Sequence, residues 1–309
     1  MSSLEYTYCF TLIIHLMKLK LNLSGSVEPL ENYLKKFWRI RESLLLEIDT
    51  KERALVAKTY TEDRSCVCFS SVSFDSCGIS IVSDDGEAER GDARIKLAIF
   101  QQLRKFIQVV ERFGSEIGSD EDSHIEINIT YDPLVNKDGT TDWCTTQTQF
   151  VSKLLKIKLD GFRVSEFNYI SDETFKTRIF NVSDEVTVDI APAAVLNIVK
   201  TSDIVKTDER LDALIFFNDG KKLYVKDQGN TEGATEPNFE LFLGEFDKAP
   251  EYEILLSINR DKFIRMLNKT DETYRIILGK SAADGKVDRI LFDSKESVTK
   301  IIIGAIRTS

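Results

Sequence analysis

The stretch "EYEILLSINRDKFIRMLNK", residues 251–269, changes its hydrophobic period partway along. Ile254, Leu256 and Ile258 fall at every second position, as in a strand with one buried face. From Asn259 onward Phe263, Ile264 and Leu267 recur at helical spacing, and Ser257 or Asn259 is placed to cap the helix. The polar positions of that helix are mostly cationic: Arg260, Lys262, Arg265 and Lys269 stand against Asp261 alone. The whole chain is acidic, with a formal net charge of -10 from 41 Lys+Arg against 51 Asp+Glu. Positive helices in a negative chain raise the question of what they face.

The same junction occurs three more times, in "KLKLNLSGSVEPLENYLKKF" (18–37), "RIKLAIFQQLRKFIQVVERF" (94–113) and "EVTVDIAPAAVLNIVKT" (185–201). Ser24 and Ser26 precede the first of these helices with Glu28 and Glu31 in its opening turn, and Asp189 precedes Pro192 in the third. Strand-like runs follow each helix. After the first come "SLLLEIDT", "RALVAKTY" and "SCVCFSSV"; after the second, "HIEINITYD", "QFVSKLLKIKL" and "FRVSEFNYI". After the third come "LDALIFFND", "KKLYVKD" and "NFELFLGEF"; after the fourth, "TYRIILG", "VDRILFD" and "SVTKIIIGAI". The chain therefore reads as strand, helix, three strands, repeated four times. Two units make one α+β domain with its helices on one face and its sheets on the outside. The expected division is an N-terminal extension 1–16, a domain 17–180 and a domain 181–309.

Composition closes several other routes. The 309 residues hold 5 Pro and 15 Gly and suit two compact domains. Acidic or small-residue loops are expected at 83–92, 114–123, 136–142 and 227–237. Five cysteines without a CxxC pair, and two histidines, argue against a structural zinc site and for a reducing cytoplasm; no metal or cofactor is expected. Cys66 and Cys68 alternate on a strand and read as small buried residues. "YTYCFTLIIHLM" (6–17) lacks a basic flank and a cleavage site, and about twelve residues fall short of the roughly twenty that span a bilayer. Met17 opens the first strand and is the natural place for the fold to begin. No phosphate-binding loop, dinucleotide fingerprint, zinc-protease helix or nucleophile elbow is present, so an enzyme is not expected, and His124 reads as a strand residue. "SDEDSH" (119–124) lacks the spacing of a calcium loop.

With these elements in place the chain resembles the two-domain sliding clamps of DNA replication, most of all the trimeric clamps of tailed bacteriophages. The resemblance lies in "NFELFLGEFD", "EYEILLSINRDKFIRML", "ETYRIILGK" and "RILFDSKESVTKIIIGAI" within 183–306, and in the opening "MKLKLNLSGSVEPLENYLKKF". Length in excess of those clamps falls in 1–16, 71–93 and 114–150. The resemblance implies a DNA clamp fold and a homotrimeric ring with helices lining a hole for double-stranded DNA. It implies a host-cell cytoplasmic processivity factor for a replicative DNA polymerase, opened by a clamp loader ATPase, with late-transcription factors as further partners. On that reading the DNA-facing residues are Lys35, Lys36, Arg39, Arg104, Lys105, Arg112, Lys200, Lys206, Arg260, Lys262, Arg265 and Lys269. A pocket for partner peptides is expected around Ile170, Phe175, Phe180, Ile301 and Ile303. The competing reading of the same charges is a β-rich virion component whose lysines and arginines merely solvate helix faces.

Overall fold

The computed structural model of the protein describes residues 16–63, 65–99, 101–117, 124–160, 187–204, 213–227, 239–267, 272–280 and 286–306. The first unit is β1 (Met17–Ser24), α1 (Glu28–Trp38), β2 (Leu44–Asp49), β3 (Ala54–Tyr60) and β4 (Cys66–Ser73). An insertion follows, holding β5 (Ile79–Asp84) and α2 (Glu87–Arg90). The second unit is β6 (Ile95–Ile99), α3 (Leu103–Ile117), β7 (His124–Val135), β8 (Thr141–Val151) and β9 (Lys156–Asp160). The third is β10 (Thr187–Ile190), α4 (Pro192–Ile204), β11 (Ala213–Asp219), β12 (Lys222–Asp227) and β13 (Glu240–Glu245). The fourth is β14 (Leu255–Asn259), α5 (Arg260–Leu267), β15 (Tyr274–Lys280), β16 (Val287–Ser294) and β17 (Val298–Gly304).

The units are interlocked in pairs. The first strand of each unit joins the three-stranded run of its sister: β1 pairs with β7 and β6 with β2, while β10 pairs with β15 and β14 with β11. This gives four half-sheets of one design, β4-β3-β2-β6, β9-β8-β7-β1, β13-β12-β11-β14 and β17-β16-β15-β10. A short parallel pairing of Ile95 with Trp143 and Lys96 with Cys144 fuses the two half-sheets of the N-terminal half. The two halves are joined where β17 runs antiparallel to β4, from Val298 opposite Ser71 to Ile303 opposite Cys66.

The register across that seam fixes which face carries the helices. Cys68, Ile301, Phe292 and Ile276 lie opposite one another in turn and belong to the main core. Phe263 of α5 packs on Phe292 with ring centroids 5.9 Å apart. On the same face Thr299 and Ser70 share a hydrogen bond of 2.9 Å, and Lys36 of α1 donates to Thr299 at 3.3 Å. Helices α1 and α5 therefore cover one side of a continuous sheet. Helix α3 lies beside α1, its Phe106 and Phe113 packed on Phe150 of β8 at 5.5 and 5.9 Å. Val195, Ile198 and Val199 of α4 enter the same core. The opposite face of the seam holds a smaller cluster of Tyr60, Val67, Ile277, Leu291 and Ile302.

Local chemistry explains the starts of the helices. Asn259 Oδ1 accepts from the Lys262 amide at 2.9 Å and caps α5. Ser26 Oγ takes the Glu28 amide at 3.2 Å at the start of α1, and Pro192 opens α4. Asp189 is drawn elsewhere, into ion pairs with Arg275 and Lys295 at 3.2 and 2.7 Å.

Two sequence expectations need correction. The run 83–92 is not a plain loop: β5 pairs with β1, and α2 carries Arg90 into a buried site. There Arg90 contacts Asp84 at 2.5 Å and Thr50 at 2.6 Å, and the Tyr131 hydroxyl donates to Asp84. Gly86 sits so close that a Cβ would meet Met17 Sδ and the Tyr131 hydroxyl. Second, "QFVSKLLKIKL" is not one strand but the end of β8 and most of β9, turned at Ser152, whose amide donates to the Leu155 carbonyl at 2.8 Å. The loop expected at 136–142 is present as a hairpin tip closed by Asn136 and Thr140. The run "FRVSEFNYI", residues 1–15 and the expected division near residue 180 lie outside the described residues.

Candidate nucleic-acid interface

The helix-bearing face was the expected home of the cations, and they are of three kinds there. The first kind is exposed. Lys105 and Arg112 of α3, Lys200 of α4 and Arg265 of α5 point outward from helices whose other sides are buried. Arg104 is exposed as well, and its guanidinium lies 5.7 Å from the Trp38 ring centroid.

The second kind joins elements together. Lys35 pairs with Glu31 within α1 and bridges to α3 through Glu111 at 3.0 Å, and these hydrogen bonds push its ammonium pKa upward. Lys36 crosses from α1 to Glu272 at 2.7 Å. Burial alone would raise the Glu272 carboxyl, but the Lys36 hydrogen bond, helped by Ser294 and Ser297, leaves it below the ordinary range. Lys262 of α5 crosses the seam the other way, to Asp63 and Ser65 beyond β3. Burial opposes ionisation of Asp63, yet contacts from Lys262, Thr61 and Ser65 hold its carboxyl far below the usual value. Lys36 and Lys262 thus connect the two halves of the chain on the helix side.

The third kind is buried. Arg260 is only 4% exposed and lies 3.6 Å from Asp261, so it cannot meet a ligand from the helix face; that expectation is corrected. It occupies the first position of α5, where the helix turns back onto the sheet. Lys206 and Lys269 fall outside the described residues.

Between the end of α1, the start of α3 and α5 lies a groove of about 900 Å³. Arg39, Arg41, Lys262 and Arg265 line it together with Trp38 and Gln101. Glu42, Glu62 and Asp63 also line it, so its charge is mixed. Desolvation lowers the Arg39 pKa, a mark of its half-buried position. Among the described residues this face offers long, flexible cations, groups that pair with anionic oxygens without regard to sequence. Sequence reading did not find Arg41 or Gln101 as neighbours of α5. Gln101 adopts a positive φ of 50° that no local pattern signals.

The expected peptide pocket is corrected in its described part. Ile301 and Ile303 are 3% and 0% exposed and point into the main core from β17. Ile170, Phe175 and Phe180 lie outside the described residues. Among the described residues no three His, Cys, Asp or Glu side chains come together as a metal site, and no helix is long and apolar enough to cross a membrane. Cys68 and Cys77 are buried thiols pushed up to about 12 and about 11 by desolvation.

No known family profile matches the sequence, and no curated protein does. Solved structures do match. The clamp from Thermococcus kodakaraensis known as PCNA aligns with a TM-score of 0.57 at 10% identity, over 94% of this chain and 100% of that one. Proliferating Cellular Nuclear Antigen from Entamoeba histolytica gives 0.59 at 8% identity, over 94% and 99%. A putative DNA polymerase III beta subunit from Eubacterium rectale gives 0.57 at 11% identity, over 94% of this chain and 66% of that one. The shared property is the fold: a mixed α+β clamp fold, mostly strands with few helices.

Proposed function

We propose that the protein is a sliding clamp, a ring of copies that encircles duplex DNA and tethers a replicative DNA polymerase. The observation that carries this reading is the symmetry of the four half-sheets. Inside the chain, the last strand of the first unit, β4, meets the last strand of the fourth, β17. Among the described residues the same strands of the other two units, β13 and β9, each end a half-sheet. Joining β9 of one copy to β13 of the next repeats the intrachain seam between copies. Such a head-to-tail contact either closes or grows without end. Two domains per chain, 17–180 and 181–309, close at six domains, hence a homotrimer of the kind found in tailed bacteriophages.

The helices then line the hole. Arg104, Lys105, Arg112, Lys200 and Arg265 supply a weak, sequence-independent attraction, while the ring's topology does the holding. The net charge of -10 keeps DNA from the outer surface. A clamp loader ATPase is the partner such a closed ring requires, and late-transcription factors are further users of the same platform. Ile170, Phe175 and Phe180 remain the proposed residues for docking partner peptides, while Ile301 and Ile303 are committed to the core.

The test is topological. Light scattering should give about three times the chain mass. After loading, the protein should stay on nicked circular DNA and run off when that DNA is linearised. Equal retention on circular and linear DNA would refute encirclement.

A further inference from the structure

A row of apolar side chains crosses the four-stranded sheet on the face turned away from the helices. Leu255 of β14 lies opposite Phe217 of β11, Phe217 opposite Tyr224 of β12, and Tyr224 opposite Phe242 of β13. Phe216 packs on Phe263 of α5 at 6.2 Å, and Leu256, Leu223 and Val225 are buried with it, so the alternation along each strand aims the row outward. The rings of Phe217 and Tyr224 stack at 5.4 Å with 19° between their planes, and Phe242 meets Tyr224 edge-on at 5.6 Å. Leu255 and Phe242, at the two ends, are 63% and 53% exposed. Single exposed apolar residues are ordinary, but a row in register across a whole sheet has the form of a docking surface.

The chemistry of the row selects its occupant. It runs over a sheet face whose backbone groups are already paired with neighbouring strands, so an added strand gains no hydrogen bonds there. The polar atom on offer is the Tyr224 hydroxyl, which makes no hydrogen bond among the described residues. A helix has paired its own carbonyls, whereas a polyproline II segment leaves every carbonyl free and lays its rings on aromatic faces. Such a segment is also ordered before it binds, so a shallow surface suffices to hold it. Charge narrows the choice further. Asp219, Glu240, Glu245 and Glu253 are exposed at the margins of the row, against Lys222 and against Lys226, whose Nζ lies 4.6 Å from the Phe217 centroid. That balance is negative, which repels a polynucleotide and attracts Lys or Arg.

We propose that the outer face of the β11–β14 sheet docks a proline-rich segment of a partner protein that carries Lys or Arg beside its prolines. Its apolar residues pack on Phe217, Tyr224, Phe242 and Leu255, the Tyr224 hydroxyl donates to one of its carbonyls, and its cations meet the marginal carboxylates. This surface belongs to the four-stranded sheet and not to the β4–β17 seam, and it is separate from the docking place proposed around Ile170, Phe175 and Phe180. It does not depend on the ring, since every residue of the row lies within one chain.

Fluorescence anisotropy tests the proposal with a labelled peptide of Pro-Pro-Leu repeats between Arg-Lys pairs. Saturable binding is expected, weakened about tenfold or more by Phe242→Ser or by Leu255→Ser. Tyr224→Phe, which removes the hydroxyl alone, should weaken it about threefold or more. Leu255 lies on β14, at the far end of the row from β13, so the two Ser variants disturb different strands, and thermal unfolding with sedimentation checks that each is folded and associates as the wild type does. Replacing the Arg-Lys pairs of the peptide by Glu should weaken binding about fivefold or more at low salt and less at high salt. Absence of saturable binding to the folded wild type, or binding undiminished in both Ser variants, would overturn the proposal. Equal binding of a peptide with every proline changed to alanine would overturn the polyproline assignment, and displacement of the probe by oligothymidylate would make the row a base-stacking platform instead.

Discussion

Two groups of cations on the helix face look alike in sequence and differ in what holds them. Over the β4–β17 seam, Lys36 and Lys262 are engaged: one reaches Glu272, the other Asp63, and each ties one half of the chain to the other. On α3 and α4, Lys105, Arg112 and Lys200 are exposed. The helices themselves are closely related, since "DKFIRML" of α5 and "RKFIQVV" of α3 place Lys262 and Lys105 at the same position. A lysine's position on a helix fixes which way it points, and the neighbouring strand ends decide whether it meets a carboxylate. Seam cations are thus expected to matter for stability, and those of α3 and α4 for the ligand.

The largest expected effect breaks the seam from beneath. Phe263 is fully buried between Phe216 and Phe292, at centroid distances of 6.2 and 5.9 Å. Phe263→Ala should cost about 3–5 kcal/mol, seen as a lower denaturation midpoint in urea. A loss of about 1 kcal/mol or less would mean that α5 is not anchored where the comparison needs it.

Next comes the Lys36–Glu272 link, a charge-assisted hydrogen bond of 2.7 Å with Glu272 mostly buried. Lys36→Met should cost about 1–3 kcal/mol near neutral pH. The pH dependence has a definite sign. The Glu272 carboxyl is depressed in the folded protein, so its contribution is fully present above the unfolded value of about 4.3 and is lost as pH falls through the folded one. The wild type and Lys36→Met should therefore converge in stability on acidification. A gap that stays constant down to about pH 2 would remove Glu272 from the account. Lys262→Met belongs lower on the scale, at about 1 kcal/mol or less, because Asp63 is more than half exposed.

The fourfold repeat was legible because each strand-to-helix change of period is local, and residues such as Ile254, Leu256, Phe263 and Leu267 carry it without help from elsewhere. β5 was not legible. Its neighbourhood, "SDDGEAERGD", is acidic and glycine-bearing, and what orders it is a remote partner, Tyr131, meeting Asp84 beside buried Arg90. Ile301 and Ile303 were misassigned for a different reason. "KIIIGAI" is apolar at every position from Ile301 to Ile303, so it does not reveal its buried face; only the pairing of Ile301 with Cys68 does. For the cations the sign of the charge was readable and the partner was not. Nothing near Lys36 in sequence announces Glu272, 236 residues away.

The smallest effect on stability carries the most about function. Lys105, Arg112 and Lys200 are exposed, and Arg112 has Ser115 of its own helix as a partner at 3.0 Å. Reversing all three to Glu should change stability by about 0.5 kcal/mol or less per site. The same change places three negative side chains where phosphates would pass. Each phosphate contact removed should flatten the salt dependence of DNA binding, by a slope of about 0.9 per contact on logarithmic axes. The triple variant should therefore lose DNA retention and polymerase processivity most at low salt, where screening is weakest. Lys262→Met gives the contrast, because its ammonium is already committed to Asp63 and Ser65: some loss of stability, with little change in the salt slope. If the two variants exchanged behaviours, with α3 and α4 governing stability and Lys262 governing DNA retention, the division of the helix face would be drawn in the wrong place. If the triple reversal left the salt slope at its wild-type value in a folded, oligomeric protein, those cations would be solvated charges, and the groove beside Arg39 and Arg265 would be the remaining place for phosphates to bind.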